Sequence, residues 1–266
     1  APGAVGLRDD SSRQLLLAAG VPPERLRVSA DPVVTLRPAP ADSVRALLPP
    51  RDGPLVAFCL RDLPNNPNGL GPGYLLPVAA QKRLGISGGG REAHARRVAA
   101  FQIVLAQAAD HLIVEHDARV LFVPFWPGRD DAFAGEVRAR MQHSDRAHSV
   151  EAPLAPAQGS ALLRATDLVV AMRLHALVFA ATGGVPVVGF GYARKVRGFM
   201  ERLGQGDLVL DPYNVEWPLV QAALDRAWSQ RSAIRGALPG SMAALQRAAA
   251  QDREVTARLL RPRSRR

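Results

Sequence analysis

Residues 167–204 read DLVVAMRLHALVFAATGGVPVVGFGYARKVRGFMERLG, and their pattern decides the fold. Residues 168–172 form a short apolar run suited to a buried strand. Leu174, Leu177, Val178 and Ala181 then recur at helical spacing until Gly183 and Gly184 stop the helix. Residues 185–190 read as a second buried strand. After Gly191 and Tyr192, the spacing of Val196, Phe199, Met200 and Leu203 predicts another helix, ended by Gly204. A strand-helix-strand-helix unit of this kind makes its strands parallel. The first turns of both helices then lie outside one carboxyl edge of the sheet, where open α/β sheets bind ligands.

That edge receives Arg173 and His175 at one helix start and Arg194 and Lys195 at the other. Helix N-termini carry unpaired N–H groups and a partial positive charge, so cationic side chains there are unfavourable unless an anion comes between them. A phosphate or carboxylate ligand resolves the conflict.

Outward from this unit, strand-like and helix-like segments alternate from Leu55 to about Leu210: LVAFCL, a helix through Arg96 to His111, VLFVPF, and a helix through Phe133 to Met141. The expectation is a doubly wound parallel sheet. A long loop from Asp62 to Gly90, with PNNPNGLGPG and SGGG, separates the first strand from its helix and reads as an insertion without order rather than an active-site lid. Helices are expected through Leu219 to Trp228 and Met242 to Leu260.

Residues 1–45 carry GLRDDSS, a helix through Leu15 to Ala19 and a short strand in LRVSADPVV, with Asp10 or Ser11 the expected helix cap. Having no complete fold of their own, they read as the end of a Rossmann-like domain. A Pro-rich passage, RPAPADSVRALLPPRDGP, follows as a linker. The expected divisions are therefore 1–45, a Rossmann-like domain over 46–235, and a C-terminal helix with an Arg-rich tail over 236–266.

The chain has 266 residues, 47% of them hydrophobic, which suffices for a sizeable core, and no uninterrupted apolar run near 18 residues. The single cysteine, Cys59, excludes an intramolecular disulfide and is expected in the core. Of the net charge of +10, four charges come from Arg261, Arg263, Arg265 and Arg266, a solvated tail in the first reading. Aromatic content of 5% without aromatic-basic interleaving gives no stacking platform, so no nucleic-acid partner is expected. His94, His111, His116, His143 and His148 show no pairing with Cys or acidic residues at metal-ligand spacing, and no metal site is expected.

The stretch RLHALVFAATGGVPVVGFGYARKVRGFMERLG, with the earlier LRDDSS and SADPVV, resembles the polysaccharide pyruvyltransferases, especially the CsaB type that modifies secondary cell-wall polymers and so serves S-layer anchoring. The resemblance covers nearly the whole chain and is most specific at Arg173-Leu174-His175 and Lys195. The Gly-rich N-terminal opening of the family has no counterpart, so the chain is expected to correspond to the C-terminal two-thirds or so of a member.

The resemblance implies a GT-B-like architecture of two Rossmann-like domains facing across a cleft. It also implies transfer of pyruvate from phosphoenolpyruvate onto a sugar as a ketal. The acceptor would be a lipid-linked sugar intermediate in the cytoplasm, with peripheral contact at the inner membrane face. The donor carries a phosphate and a carboxylate, and arginine's planar fork holds either group bidentately.

Arg173 and Arg8 are the first candidates, clamping the donor from opposite sides, with Lys195 on the departing phosphate and Arg61 a further substrate-binding residue at the end of its strand. His175 serves as acid or base, since an imidazole ordinarily titrates near physiological pH. Asp130 and Asp131 either orient a ligand or, as the preferred reading, cap the following helix. No organic cofactor is required.

Two rivals stand beside this reading. An ordinary GT-B glycosyltransferase with a nucleotide-sugar donor often carries a Glu five residues before the Gly of a Gly-x-Pro turn, to bind ribose. Here the turn is Gly184-Val185-Pro186 and the position is Phe179, which cannot accept those hydrogen bonds. A non-catalytic module that binds anionic glycan or nucleic acid through its basic face would instead show salt-sensitive binding that survives loss of His175.

Overall fold

Five consecutive buried residues in LVAFC make β3 (Leu55–Cys59) the centre of the structure, because only a strand covered on both faces tolerates an unbroken apolar run. The computed structural model describes residues 5–64 and 88–260. To one side of β3 lie β4 (Arg119–Phe122) and β5 (Ala147–Ser149). To the other lie β6 (Leu168–Ala171), β7 (Val187–Phe190) and β8 (Val209–Leu210). All pairings are parallel, in the order β5-β4-β3-β6-β7-β8. The chain winds outward from β3 to β5, then returns to lay β6 beside β3. The crevice outside the carboxyl ends of β3 and β6 is thus the topological switch point, the ligand position of doubly wound sheets.

Eight helices are described: α1 (Asp10–Ala18), α2 (Gly88–His116), α3 (Arg129–Arg138), α4 (Pro156–Arg164), α5 (Leu174–Thr182), α6 (Arg194–Arg202), α7 (Trp217–Ser229) and α8 (Arg231–Leu260). α2 packs with α3 and α7, α4 packs with α5, and α8 crosses α5 and α7. The sheet and these helices enclose a core containing Phe58, Phe101, Phe122 and Phe190. Each fully buried side chain of this size contributes about 1.5–3 kcal/mol. α5 stops where Gly184 takes a φ of 73°, a left-handed conformation that glycine adopts without strain.

The first residues form a separate parallel pair, β1 (Val5–Leu7) with β2 (Leu26–Val28), joined through α1. They are fastened by the last helix. Ser29 Oγ donates to the Ala248 carbonyl at 3.1 Å, Gln246 Nε2 to the Val34 carbonyl at 3.0 Å, and Arg27 Nη2 to Gln251 Oε1 at 3.2 Å.

Several expectations need correction. α1 is capped by Asp9, whose carboxylate accepts from Ser12 N and Ser11 Oγ at 2.8 Å each, and not by Asp10 or Ser11. The Pro-rich passage is docked rather than loose, since Val44 is 1% exposed and Ala39 N donates to the Ala157 carbonyl. β5 and α4 were not anticipated. α8 begins at Arg231 and runs through Pro239, so the expected division at 235/236 falls inside a helix. Residues 65–87 of the expected insertion, and the arginine tail from 261, lie outside the described residues.

α2 is long and apolar enough over 92–116 to cross a membrane by length and composition, although the sequence shows no long uninterrupted apolar run. Half of it is buried within the protein, as a core helix requires.

Candidate functional site

Met172 extends β6 by one residue, its N–H donating to the Cys59 carbonyl at 3.1 Å, and the chain then turns at Arg173 into α5. Neither α5, with Arg173 at its N-cap, nor α6, with Ala193, receives a side-chain cap hydrogen bond. Two helix starts therefore open toward the carboxyl edge of the sheet.

Arg173 does not stand as an isolated cation. Its Nε and Nη2 grip both oxygens of Asp130, the first at 3.0 Å, and Asp130 is 1% exposed. The same carboxylate accepts from Phe125 N at 3.0 Å and Trp126 N at 2.9 Å, so it holds the β4–α3 loop and the arginine together. This contact uses one side of the guanidinium and leaves Nη1 as the part of the fork that can meet a ligand. Asp131 takes the capping role, accepting from Gly128 N.

His175 and Arg8 share Asp31. Arg8 Nη1 lies 3.3 Å from Asp31 Oδ2, and His175 Nε2 comes to 3.6 Å from the same oxygen, an ion-pair distance. The His175 imidazole first, then the Val33 N–H and the Arg8 guanidinium, hold the Asp31 carboxyl at about 2 against the opposing effect of its burial. Arg8 also reaches Asp9 at 3.5 Å, and its carbonyl accepts from Arg202 Nη1 at 2.8 Å. Arg8, Asp31, Lys195 and Arg202 line one small cleft with Leu174 and Phe199.

Tyr192 joins Lys195 to Arg61. The Arg61 guanidinium sits 4.7 Å from the centre of the Tyr192 ring and the Lys195 ammonium 5.7 Å from it. Burial acts to raise the Tyr192 phenol, but the Lys195 charge and the Arg61 contact outweigh it and leave the phenol below its ordinary value. Arg61 also pairs with Asp62 at 3.5 Å. The buried Tyr213 hydroxyl lacks a hydrogen-bond partner among the described residues, and burial raises its titration.

The profile of the polysaccharide pyruvyl transferase family matches residues 2–194. The chain belongs to this family. No curated protein matches the sequence.

Among solved structures, this chain is similar to Anabaena HepE in complex with UDP and glucose, at 14% identity and a TM-score of 0.55, over 98% of this chain and 63% of that one. It is also similar to sucrose-phosphate synthase from Thermosynechococcus elongatus, at 16% identity and a TM-score of 0.56, over 96% and 58%. A third is WaaG, a glycosyltransferase involved in lipopolysaccharide biosynthesis, at 13% identity and a TM-score of 0.54, over 94% and 61%. These likenesses show a Rossmann-like GT-B fold. The chain spans about 60% of the length of these structures.

Of the residues expected in the site, Arg8, His175 and Lys195 converge around the Asp31 cleft, Arg61 joins through Tyr192, and Arg173 is anchored beside it by Asp130. A simple clamp by two free arginines is not what the structure shows, because each arginine already holds a carboxylate. Sequence reasoning passed over Asp31, within SADPVV, and Tyr192.

Cys59 is fully buried, and burial with the nearby Asp130 charge pushes its thiol far above the ordinary value, which makes it a core residue and no nucleophile. His111 Nε2 lies 2.7 Å from Asp225 Oδ1, a contact between residues 114 apart that no local spacing in the sequence displays.

Proposed function

We propose that this chain carries a site that transfers pyruvate from phosphoenolpyruvate onto a sugar of a cell-surface polysaccharide, releasing phosphate as a ketal forms. The family membership supports the reaction class. The observation that carries the assignment to this cleft is the placement of His175 against Asp31, beside Arg8 and Lys195 at the switch-point edge.

The enol methylene carbon of the donor takes up a proton, and the resulting oxocarbenium-like carbon is attacked by one sugar hydroxyl. A second hydroxyl then displaces phosphate, and the two hydroxyl protons leave to base or solvent. His175 suits the proton-donating step. Asp31 faces Nε2 at 3.6 Å, so Nδ1 is the nitrogen that serves the ligand. Lys195 and the open side of Arg173 balance the phosphate and carboxylate, and the uncapped starts of α5 and α6 add their N–H groups. Preorganised charge of this kind supplies rate without a metal at the reacting carbon. A cytoplasmic, lipid-linked acceptor and attachment at the inner membrane face through residues 261–266 belong to the same proposal.

Phe179 weighs against a nucleotide-sugar donor. Its ring is 3% exposed and packs on Phe125, so a ribose finds no acceptor there. Calorimetric titration of phosphoenolpyruvate and of a uridine nucleotide sugar tests the reading. Binding of the first, weakened in Arg173→Ala, is the expected result, and preference for the second would replace it with glycosyl transfer.

A further inference from the structure

At the opposite edge of the sheet, α2 ends and α7 passes beside it. His111 and His116 on α2 and Asp225 on α7 bring one ligand atom each to within 4.8 Å of one another. His116 Nε2 is buried and has no hydrogen-bond partner among the described residues, an arrangement that costs free energy in the absence of a ligand. The ring plane is locked by Trp228, stacked at 4.2 Å between centroids and 6° between planes, while Trp217 lies edge-on to His111 at 5.5 Å. An orphaned imidazole nitrogen, held rigid and aimed at a His–Asp pair, is a ligand set waiting for a cation.

We propose that His111, His116 and Asp225 bind a divalent transition-metal ion of the zinc type, which clamps α2 to α7. Two imidazoles and one carboxylate are a borderline nitrogen and oxygen set, suited to zinc and not to magnesium or calcium. Metal–ligand distances of about 2 Å place ligand atoms roughly 3.3 Å apart, so the ion inserts into the His111–Asp225 contact, widening it from 2.7 Å, and draws His116 toward the pair. Asp225 is half exposed, which gives the ion an entry path and a fourth position for water. The site stands at the amino edge of the sheet, away from the cleft, because α2 runs from the end of β3 to the start of β4. Its role is structural.

The test uses the full chain, stripped with chelator and titrated with zinc chloride. The readouts are calorimetry, the thermal midpoint, and the visible absorption of cobalt as a substitute probe. Two of the three tryptophans flank the site, so a paramagnetic ion also quenches intrinsic fluorescence. The expected result is one ion per chain, a raised thermal midpoint, and affinity at least about tenfold weaker in His116→Phe, which retains the ring stacking, and in Asp225→Asn, which changes an exposed residue. His175→Ala should bind zinc unchanged. Absence of binding to the wild-type chain, or binding equal in all these variants, would overturn the proposal.

Discussion

Arg173 lays two nitrogens of its guanidinium on the buried carboxylate of Asp130, and that carboxylate also holds the N–H groups of Phe125 and Trp126. Removing one partner strands the other. Arg173→Met should therefore destabilise the chain by about 3–5 kcal/mol, whereas Arg173→Met combined with Asp130→Asn should recover part of that loss. Denaturant melts of the two singles and the double decide the coupling. Arg173→Lys keeps the charge but not the fork, so donor binding should weaken although the thermal midpoint falls less.

Asp31 links stability to acid. Its carboxyl is held at about 2, below the ordinary carboxylate value near 3.9. The stabilisation is present in full above about pH 4 and is lost as the pH falls toward about 2. It amounts to something on the order of 1–2 kcal/mol. Asp31→Asn should be less stable at neutral pH and should lose less on acidification than the wild-type chain. Parallel thermal scans from neutral pH to about pH 2 would reveal equal slopes if the Asp31 contacts contribute nothing.

His175 should separate binding from chemistry. Loss of a proton-transferring group lowers turnover by about 10²–10⁴. His175→Gln is expected to lose phosphate release on that scale while phosphoenolpyruvate affinity changes by less than about tenfold. A comparable fall in affinity would make His175 a binding residue.

Cys59 should resist alkylation in the folded chain and react once denaturant exposes it, because burial keeps its thiol protonated. Labelling at the native rate of a free thiol, followed by mass spectrometry, is the contrary outcome.

The sheet was legible wherever a strand is buried on both faces. Residues in 55–60, 120–125, 168–172 and 185–190 form apolar runs, and these became the four inner strands β3, β4, β6 and β7. β5 and β8 escaped because three and two residues at a sheet edge give periodicity nothing to act on. Within the site, the cations were readable because helix starts after parallel strands announce a ligand edge. Their carboxylate partners were not. Asp130 looked like a helix cap and Asp31 was passed over, and both do accept backbone N–H groups. Only the tertiary arrangement adds Arg173 to one and Arg8 with His175 to the other. The meeting of His111 with Asp225 spans 114 residues and leaves no local trace.

The three bonds from α8 to the first segment span 212 to 224 residues of sequence. On the ribosome, the sheet from β3 to β8 can close as it emerges, since each strand meets a neighbour already made or soon to come. Asp31 and Arg8 must wait, because the helix that fastens their segment is the last described element to be translated. Among the described residues the Asp31 pocket is consequently the last part to mature, and a nascent chain arrested before residue 246 would hold a formed sheet with that pocket still unassembled.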